Sequence, residues 1–406
     1  MLKKVCLVAG NHLCHNPRVL KEADALHAAG YRVEVLGAWL DPKLKERDKG
    51  LMKSRAWSFL PVIDFGSAVT RVATRARSRI GRLAGEARVW QNGWQLGYCA
   101  PELLRAARRS GADLFIAHSE QALWVAQHLL AEGRNVGVDM EDWYSEDGRY
   151  GDGRPRALLR RLEHDLLRRG RHSTCTSGAL ARALATEYGC REPLVIYNAF
   201  EWEARRRIDG LMKDRRDSAV RSLHWYSQTL GPDRGLEDLF RALPLLRQAV
   251  EIHLRGTVSP GAGKWLASSI PPGWKDRVFV HPLVMNDELL SRIAEHDIGF
   301  AGETKRMRSR DLTVTNKIMH YLLAGLAVVA SDTAGQTEIA RDAEGAVVTY
   351  PCGDEHTLAE RIDTLLDAPA RLAAARQAAL AVAQRSYSWQ KMAPRLVAGV
   401  AAALGE

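Results

Sequence analysis

The sequence lacks paired cysteines and long apolar runs. Its six cysteines are scattered through 406 residues without a C-x-x-C pair. This pattern favours reduced thiols in a cytosolic protein over a disulfide framework or a zinc site. The longest apolar run, residues 321–330, is about half of the roughly 20 residues that a helix needs to span a bilayer. The opening MLKKVCLVAGNH has no small-residue cleavage site, so it is better explained as a first strand than as a signal peptide.

The chain is short of acidic residues relative to basic ones. Its 58 Lys and Arg against 48 Asp and Glu give a formal net charge of +10. Nucleic acid, an anionic membrane surface and anionic small substrates are all compatible with such an excess. No nucleic-acid partner is expected, because the arginines do not interleave with aromatic residues along a recognisable module.

Part of the positive charge lies in one helix-like segment, residues 71–88. It carries the arginines Arg71, Arg75, Arg79, Arg82 and Arg88, with Ile80 and Leu83 between them. A basic amphipathic helix can lie on an anionic membrane surface, and a solvated basic face explains the same pattern equally well. We expect a cytoplasmic protein, with a peripheral position at the inner face of the membrane as an open alternative.

The order of apolar segments predicts an α/β fold with two domains. The length is too great for one compact core, and strands alternate with helices in both halves of the chain. No G-x-G-x-x-G follows a predicted strand, so a dinucleotide site has little support. We expect two Rossmann-like doubly wound parallel sheets, whose ligands bind outside the carboxyl ends of the strands. The expected division is an N-terminal domain at 1–200, a linker at 201–221, a C-terminal domain at 222–385 and a C-terminal helix at 386–406.

The most informative stretch is residues 311–332, a polar turn followed by a short helix, a glycine stop and an apolar strand. Thr315 or Asn316 can cap the helix through its side chain. Asn316 and His320 are one turn apart and share a face that Lys317 borders. A helix amino end beside a parallel sheet suits an anion such as a diphosphate. An ordinary αβ unit with a surface histidine is the alternative.

Six segments together resemble the blocks of one enzyme family. They are NPRVLKEADALHAAGYRVEVLG, ADLFIAHSEQA, VDMEDWYSE, PLVIYNAF, LGPDRGLEDL and NKIMHYLLAGLAVVASD. Their order and spacing resemble the family 4-like, group 1 glycosyltransferases, nearly from end to end. The resemblance implies a GT-B fold, with two Rossmann-like domains facing a cleft and a C-terminal helix that returns to the N-terminal domain.

The resemblance also implies an activity. A sugar would pass from a nucleotide-sugar, UDP- or GDP-linked, to a hydroxyl acceptor, with retention of the anomeric configuration. The enzyme would use no metal or other cofactor. The acceptor would belong to a cell-surface polysaccharide, a glycolipid or another glycoconjugate, and a lipid-linked acceptor would fit a membrane contact. A catalytically silent GT-B scaffold and a nucleotide-sugar epimerase are the alternatives.

The resemblance places the donor site in the C-terminal half. Arg234 occupies the position of a basic residue of the family's phosphate motif, and Gly235 opens the next helix. Lys317 would meet the same diphosphate from the other side. A surface arginine and a solvated lysine are the alternatives for these two residues. The expected donor-binding set adds Gly10 and Asn11 from the N-terminal half to Gly235, Glu303, Asp311, Thr313, Thr315, Asn316 and His320.

Three positions depart from the family pattern. The family's Glu-x7-Glu pair is replaced by Leu312 and His320, and Thr229 replaces the arginine expected five residues before Arg234. His320 could still hydrogen-bond a ribose hydroxyl. Contacts to the sugar could pass to Asp311, Thr313 or Glu303. These changes leave the donor open.

The resemblance places the acceptor in the N-terminal half. His118 corresponds to a histidine that contacts the donor sugar near the reaction centre, so it joins Arg234 and Lys317 as an expected catalytic residue, with a core or capping histidine as the alternative. The expected acceptor-side set is His12, His15, Arg18, Asp139, Glu141 and Asp142. The acidic members could instead pair structurally with Arg18 or Arg149. Their spacing is not that of a D-x-D metal motif, so no metal ligand is predicted.

Overall fold

The computed structural model describes residues 2–86, 92–148 and 153–406. These residues form two compact units. The first takes the described residues up to 176 together with 180–196 and 393–406, and the second takes 177–179 and 197–392. Because residues 393–406 belong to the first unit, the last helix returns to the N-terminal half of the chain as predicted. The predicted domain bounds at residues 200, 221 and 385 stay predictions.

The first unit is an α/β structure built on one parallel sheet. Its elements are β1 (Lys4–Val8), α1 (Pro17–Ala28), β2 (Arg32–Trp39), α2 (Pro42–Met52), β3 (Ser58–Asp64), α3 (Ala68–Glu86), α4 (Ala100–Ser110), β4 (Leu114–Ala117), α5 (Glu120–Ala131), β5 (Val136–Met140), α6 (Arg156–Arg169), β6 (His172–Cys175), α7 (Gly178–Tyr188) and β7 (Leu194–Val195). The described strands are ordered β3-β2-β1-β4-β5-β6-β7, and every pair is parallel. This is the doubly wound arrangement that the alternation of strands and helices predicts.

The second unit repeats the architecture. Its elements are β8 (Arg221–Thr229), α8 (Leu236–Ala242), β9 (Val250–Thr257), α9 (Pro260–Ser269), β10 (Val278–His281), α10 (Asn286–Ala294), β11 (Ile298–Ala301), α11 (Arg308–Leu312), α12 (Asn316–Ala324), β12 (Ala327–Ser331), α13 (Ala334–Asp342), β13 (Val347–Tyr350), α14 (Glu355–Leu366), α15 (Pro369–Arg385) and the start of α16 (Trp389–Leu404). The described strands are ordered β10-β9-β8-β11-β12-β13, again all parallel. The predicted fold class is confirmed.

Helix α12 is locked onto the second sheet by one glycine and one tyrosine. Gly299 in β11 lies directly under the ring of Tyr321, where a side chain of any size would clash. The Tyr321 hydroxyl donates to the carbonyl of His224 in β8 at 2.9 Å. Strand β12 is buried throughout beside it, as expected for a parallel strand covered on both faces. These contacts fix where the amino end of α12 lies.

Residues 41–100 contain α2, β3 and α3, and α3 includes the described part of the predicted helix-like segment. Strand β3 is the edge of the first sheet and pairs only with β2 among the described strands. It includes Pro61, which an edge strand tolerates because it has one side without hydrogen bonds to fill. The sequence analysis missed this strand.

The predicted linker, residues 201–221, packs on the second unit. It begins with a short 3-10 helix, Trp202–Arg207. The Arg205 guanidinium donates to the carbonyl of Leu323 in α12. The Ser291 hydroxyl of α10 donates to the carbonyl of Arg207 at 3.1 Å.

Two expectations concern features that the sequence lacks. All six cysteines lie in the described part of the chain, and each has a free thiol. None of the described helices combines the length and the apolar character needed to cross a membrane.

Candidate functional site

The amino end of α12 lies where β11 and β12 finish. Thr315 is the N-cap residue as predicted, but its side chain makes no capping hydrogen bond. Its hydroxyl instead donates to Oε1 of Gln336 at 3.2 Å. The Gln336 amide nitrogen donates to the carbonyls of Ala301 at 2.9 Å and Ser331 at 3.1 Å. One glutamine therefore ties the helix start to the carboxyl ends of both strands, and the Thr315 side chain does not cover the first-turn amides.

A buried ion pair lies beside this helix start. The Lys317 ammonium is 2.6 Å from Oε1 of Glu303, and both side chains are almost fully buried. Arg310 lies 3.5 Å from the other carboxylate oxygen of Glu303. The ammonium is also 5.5 Å from the ring centroid of Trp225, within cation–π range. Two predicted site residues, Glu303 and Lys317, thus form one ion pair. With Arg310 included, two cations face one carboxylate, so the local net charge is positive.

The turn that carries Arg234 is pressed against the same strand end. Gly235 has φ +79°, and a Cβ there would lie 2.5 Å from the carbonyl carbon of Gly302 and 2.9 Å from the backbone nitrogen of Glu303. Only glycine allows both this backbone conformation and this approach. Arg234 itself is half-buried. The structure therefore brings Arg234, Gly235, Glu303 and Lys317 to one edge of the second sheet.

His320 lies nearly one helical turn after Lys317 in α12 and has contacts of its own. Its ring stacks on Phe200 with centroids 3.6 Å apart, and Nδ1 is 2.6 Å from the Tyr226 hydroxyl. Tyr226 is half-buried, and the removal of its hydroxyl from water raises the pKa of that hydroxyl. The hydroxyl therefore keeps its proton and can donate to Nδ1. The ribose contact predicted for His320 stays a prediction.

The other predicted donor residues of the second unit differ in exposure. Asp311 accepts the backbone amide of Ala334 at 3.0 Å. The Thr313 hydroxyl donates to the carbonyl of Ser309 at 2.8 Å. Asn316 is exposed in the first turn of α12. Asp311 and Thr313 thus hold the turn before α12, while Asn316 faces solvent.

Three predicted residues of the first unit, Arg18, His118 and Asp139, form a buried charge network with Glu22, which we call the His118 network. Arg18 donates to both carboxylate oxygens of Asp139, from Nε at 2.6 Å and Nη2 at 2.7 Å. His118 lies between two carboxylates, with Nδ1 3.2 Å from Asp139 and Nε2 3.0 Å from Glu22. Thr174 donates to Asp139 at 2.5 Å. All four members of the network are buried.

This geometry fixes the charge state of the network. Burial alone would lower the pKa of His118, but the carboxylates of Glu22 and Asp139 outweigh it and raise that pKa to about 10. Burial would likewise raise the pKa of Asp139, but Arg18 and His118 hold it well below its usual range. His118 is therefore an imidazolium near neutral pH. The structural pairing of Asp139 with Arg18, left open by the sequence, is present; Arg149 lies outside the described residues.

The remaining acidic residues follow β5. Glu141 and Asp142 are half-buried, and the carbonyl of Glu141 accepts the Thr176 hydroxyl at 3.0 Å. Glu22 was missed by the sequence analysis. It lies one helical turn after Arg18 in α1, and this spacing could have placed it on the face that carries Arg18.

The loop after β1 is held by backbone contacts. Gly10 has φ +75°, and its carbonyl accepts Nε2 of Gln121 at 2.9 Å. The Asn11 carbonyl accepts the amide of Ala38 at 3.2 Å. His15 is exposed, with its ring edge-on to that of His12 at 6.3 Å.

His12 is an anchor of this loop. Its Nε2 accepts the backbone amides of Leu40 at 2.7 Å and Asp41 at 2.9 Å. Since Nε2 accepts, Nδ1 carries the proton and donates to Asp48 at 2.8 Å. Both nitrogens of this predicted acceptor-side residue are thus used within the first unit.

Among the described residues, His12, Cys14 and Asp48 are the one group whose ligand atoms lie close enough for a metal ion, within 4.8 Å of one another. Burial, followed by Asp48, raises the pKa of the Cys14 thiol to about 12, so the thiolate that a metal needs is disfavoured. Both nitrogens of His12 are engaged, as described above. The group fits a hydrogen-bonded anchor better than a metal site.

Comparison with known proteins identifies the family. A model described as "Glycosyl transferase 4-like domain" matches residues 15–199, and one described as "Glycosyl transferases group 1" matches residues 224–368. Together the two models span most of the chain. No curated protein matches it at a significant level.

Solved structures resemble the chain over nearly its whole length. The Anabaena protein Alr3699/HepE, solved with UDP, superposes with a TM-score of 0.73 at 17% identity, covering 98% of this chain and 100% of that one. A Thermosynechococcus elongatus sucrose-phosphate synthase gives 0.68 at 15% identity, covering 97% of both chains. A Rickettsia africae glycosyltransferase gives 0.71 at 11% identity, covering 99% of both chains. At these identities the structures establish the GT-B fold, and with the two family matches the chain belongs to the group 1 glycosyltransferases.

Proposed function

We propose that the protein transfers a sugar from a nucleotide-sugar to a hydroxyl acceptor. The observation that carries this proposal is the grouping of Arg234, the Glu303–Lys317 pair and the amino end of α12 at the carboxyl edge of the second sheet. Ligands of such sheets bind at that edge. The UDP bound by the Anabaena relative supports a UDP-linked donor, and a GDP-linked donor is the second choice.

The proposed chemistry depends on charge at the leaving group. When the glycosidic bond breaks, negative charge grows on the diphosphate, and donors held in place before the reaction stabilise it. Arg234, Lys317 and the first-turn amides of α12 would supply these donors without a metal ion. Glu303 would hold the Lys317 ammonium in position, while Arg310 keeps the local charge positive. Retention of the anomeric configuration belongs to the proposal through the family resemblance.

For the acceptor we propose a hydroxyl of a polysaccharide, glycolipid or other glycoconjugate precursor, carried by a lipid. Such an acceptor would bring the enzyme to the inner face of the membrane through the arginines of residues 71–88, of which Arg88 lies outside the described residues. His118 is proposed as a catalytic residue, and its imidazolium state makes it a hydrogen-bond donor. Asp139, Glu141 and Asp142 are proposed for the acceptor side.

The experiment is a nucleotide-binding panel. Thermal unfolding would be followed with UDP, GDP, ADP and CMP, and a ligand at 100 times its dissociation constant should stabilise the fold by about 2.7 kcal/mol. Arg234→Ala should weaken the binding of the nucleotide that stabilises the wild-type protein, and so reduce that stabilisation. Arg206→Ala is the matched control, because Arg206 lies in the same unit, is highly exposed and pairs with Glu203 three residues away.

The outcomes separate the alternatives. Stabilisation by one nucleotide that Arg234→Ala weakens and Arg206→Ala does not would support the proposal. No shift with any nucleotide would contradict it and favour the silent scaffold. Conversion of the nucleotide-sugar into its epimer without an acceptor would favour the epimerase.

A further inference from the structure

Helix α3 packs on the first unit through polar and small residues. Its buried positions include Thr74 and Ser78. Gly81 is buried as well, and a Cβ there would lie 2.5 Å from Cβ of Trp94. The Thr74 hydroxyl donates within the helix, to the carbonyl of Thr70 at 2.7 Å. The face that a surface helix normally fills with apolar side chains is therefore polar or without side chains.

The apolar side chains of α3 lie on the opposite, solvent-facing side. Val69, Val72, Ile80 and Leu83 are 79%, 66%, 57% and 57% exposed. Their separations of three, eight and three residues place them on one stripe at 100° per residue. We call these four residues the α3 stripe. Normal amphipathic burial is thus reversed in this helix.

A row of arginines runs along the α3 stripe. Arg71, Arg75, Arg79 and Arg82 are exposed and recur at spacings of four, four and three residues. None of them forms an ion pair with another described residue. The remaining arginine, Arg77, behaves differently because it is bound to Glu102 at 2.7 Å. Residues 68–85 contain no acidic side chain.

We propose that α3 is an interfacial helix that binds an anionic lipid bilayer. The α3 stripe would enter the boundary between headgroups and acyl chains, and the four arginines would lie among the lipid phosphates. The inference deepens the proposed function by assigning the membrane partner to one helix face, and it depends on that function only for the lipid-carried acceptor.

Charge complementarity selects this partner over a second copy of the chain. In a two-fold interface the same patch meets itself, so a dimer through the α3 stripe would bring together two rows of arginines that have no carboxylate partner among the described residues. An anionic bilayer provides both an apolar acyl-chain region and a negatively charged headgroup layer. Binding should therefore have a component that salt screens and a component that salt leaves unchanged.

The test is sedimentation of the full chain with phosphatidylcholine vesicles, with and without phosphatidylglycerol, at low and high salt. Arg79→Gln with Arg82→Gln should weaken binding to anionic vesicles about fivefold per residue at low salt. Ile80→Asn with Leu83→Asn should weaken it at least tenfold at both salt concentrations. The matched controls are Leu283→Asn with Met285→Asn, which lie exposed in the second unit, and Arg206→Gln. These should leave binding unchanged.

Several results would overturn the inference. Equal recovery with neutral and anionic vesicles would remove the role of the arginines. Equal binding by the stripe variant and its control would remove the role of the α3 stripe. A lipid-free dimer that the stripe variant dissociates would assign the stripe to a second copy. Nucleotide-dependent stabilisation, measured on the same variants, should persist throughout, so failure here is distinct from failure of the proposed function.

Discussion

We predict how a single substitution in the His118 network, Asp139→Asn, changes the stability of the first unit. Asp139→Asn keeps the shape of the side chain but removes the charge that Arg18 and His118 share. It also replaces one of the two oxygens that accept Arg18, at 2.6 and 2.7 Å, with a donor. Arg18 and His118 would then depend on Glu22 for the nearest carboxylate of the network.

The expected cost is large because the network is buried. Removing one partner of a buried ion pair typically costs 3–5 kcal/mol, since an uncompensated charge remains. We expect Asp139→Asn to destabilise the first unit by about this amount. Glu132→Gln is the control, because Glu132 pairs with Arg108 at 2.6 Å with both side chains more than one third exposed. Such exposed pairs contribute about 0–1 kcal/mol.

The penalty should also depend on pH. The pKa of His118 is raised to about 10, so its contribution is complete below its unfolded pKa of roughly 6.5 and is lost as pH rises toward 10. The pKa of Asp139 is lowered, so its contribution is complete above roughly pH 4 and is lost on acidification. The penalty of Asp139→Asn should therefore be largest between about pH 4 and 6.5 and shrink toward pH 10.

Hydrogen exchange measured by mass spectrometry is the suitable assay. Two units need not unfold together, and peptides from β4 and β5 report the opening of the first unit alone. A penalty for Asp139→Asn no larger than that of Glu132→Gln, or one that grows as the pH rises from about 6.5 to 10, would refute the reasoning.

Three further predictions concern the second unit. Arg234→Ala should lower turnover by about 10²–10³-fold with an unchanged melting temperature; steady-state kinetics within threefold of wild type, or of the Arg206→Ala control, would contradict it. His320→Ala should destabilise the fold by about 0.5–1.5 kcal/mol, because the half-buried Tyr226 hydroxyl loses its hydrogen-bond partner; calorimetry showing no change would mean that the stacked ring contributes nothing. His253 has its pKa lowered to about 2, chiefly by burial and then by neighbouring histidines, so the unfolded state binds more protons and stability should fall as pH drops below about 6.5; His253→Gln should flatten that slope in scanning calorimetry, and an equal slope would contradict the assignment.

The sequence by itself determined the elements with strong local signals. The pair Asn16-Pro17 marks the start of α1, and Asn16 is the N-cap residue, although its side chain makes no capping bond there. The apolar strand predicted after the glycine stop within residues 311–332 is β12. Gly325 ends α12 with φ +78°. Such signals depend on residues within one turn of each other, so no distant partner is needed to read them.

Some of the site could also be read from the sequence. Arg234 before Gly235, and Lys317 in the first turn of a helix, were placed by their motifs. Their meeting at one sheet edge follows from the rule that parallel strands share a carboxyl edge. The pairing of Lys317 with Glu303 does not follow from that rule, because it depends on how far two side chains reach across 14 residues of chain.

Only the tertiary structure decided which partner each polar side chain has. Asp48, 36 residues away, holds the His12 ring in place, and no local pattern predicts this pairing. His118 is an imidazolium because the carboxylate of Glu22, in α1, lies next to its ring. Helix α3 shows most clearly that a local sequence pattern does not determine what a side chain contacts. Its sequence specifies an amphipathic helix, whereas the direction in which the apolar face points depends on Gly81 and on the Trp94 side chain packed against it. Periodicity defines a face, but only packing between distant segments decides whether that face is buried.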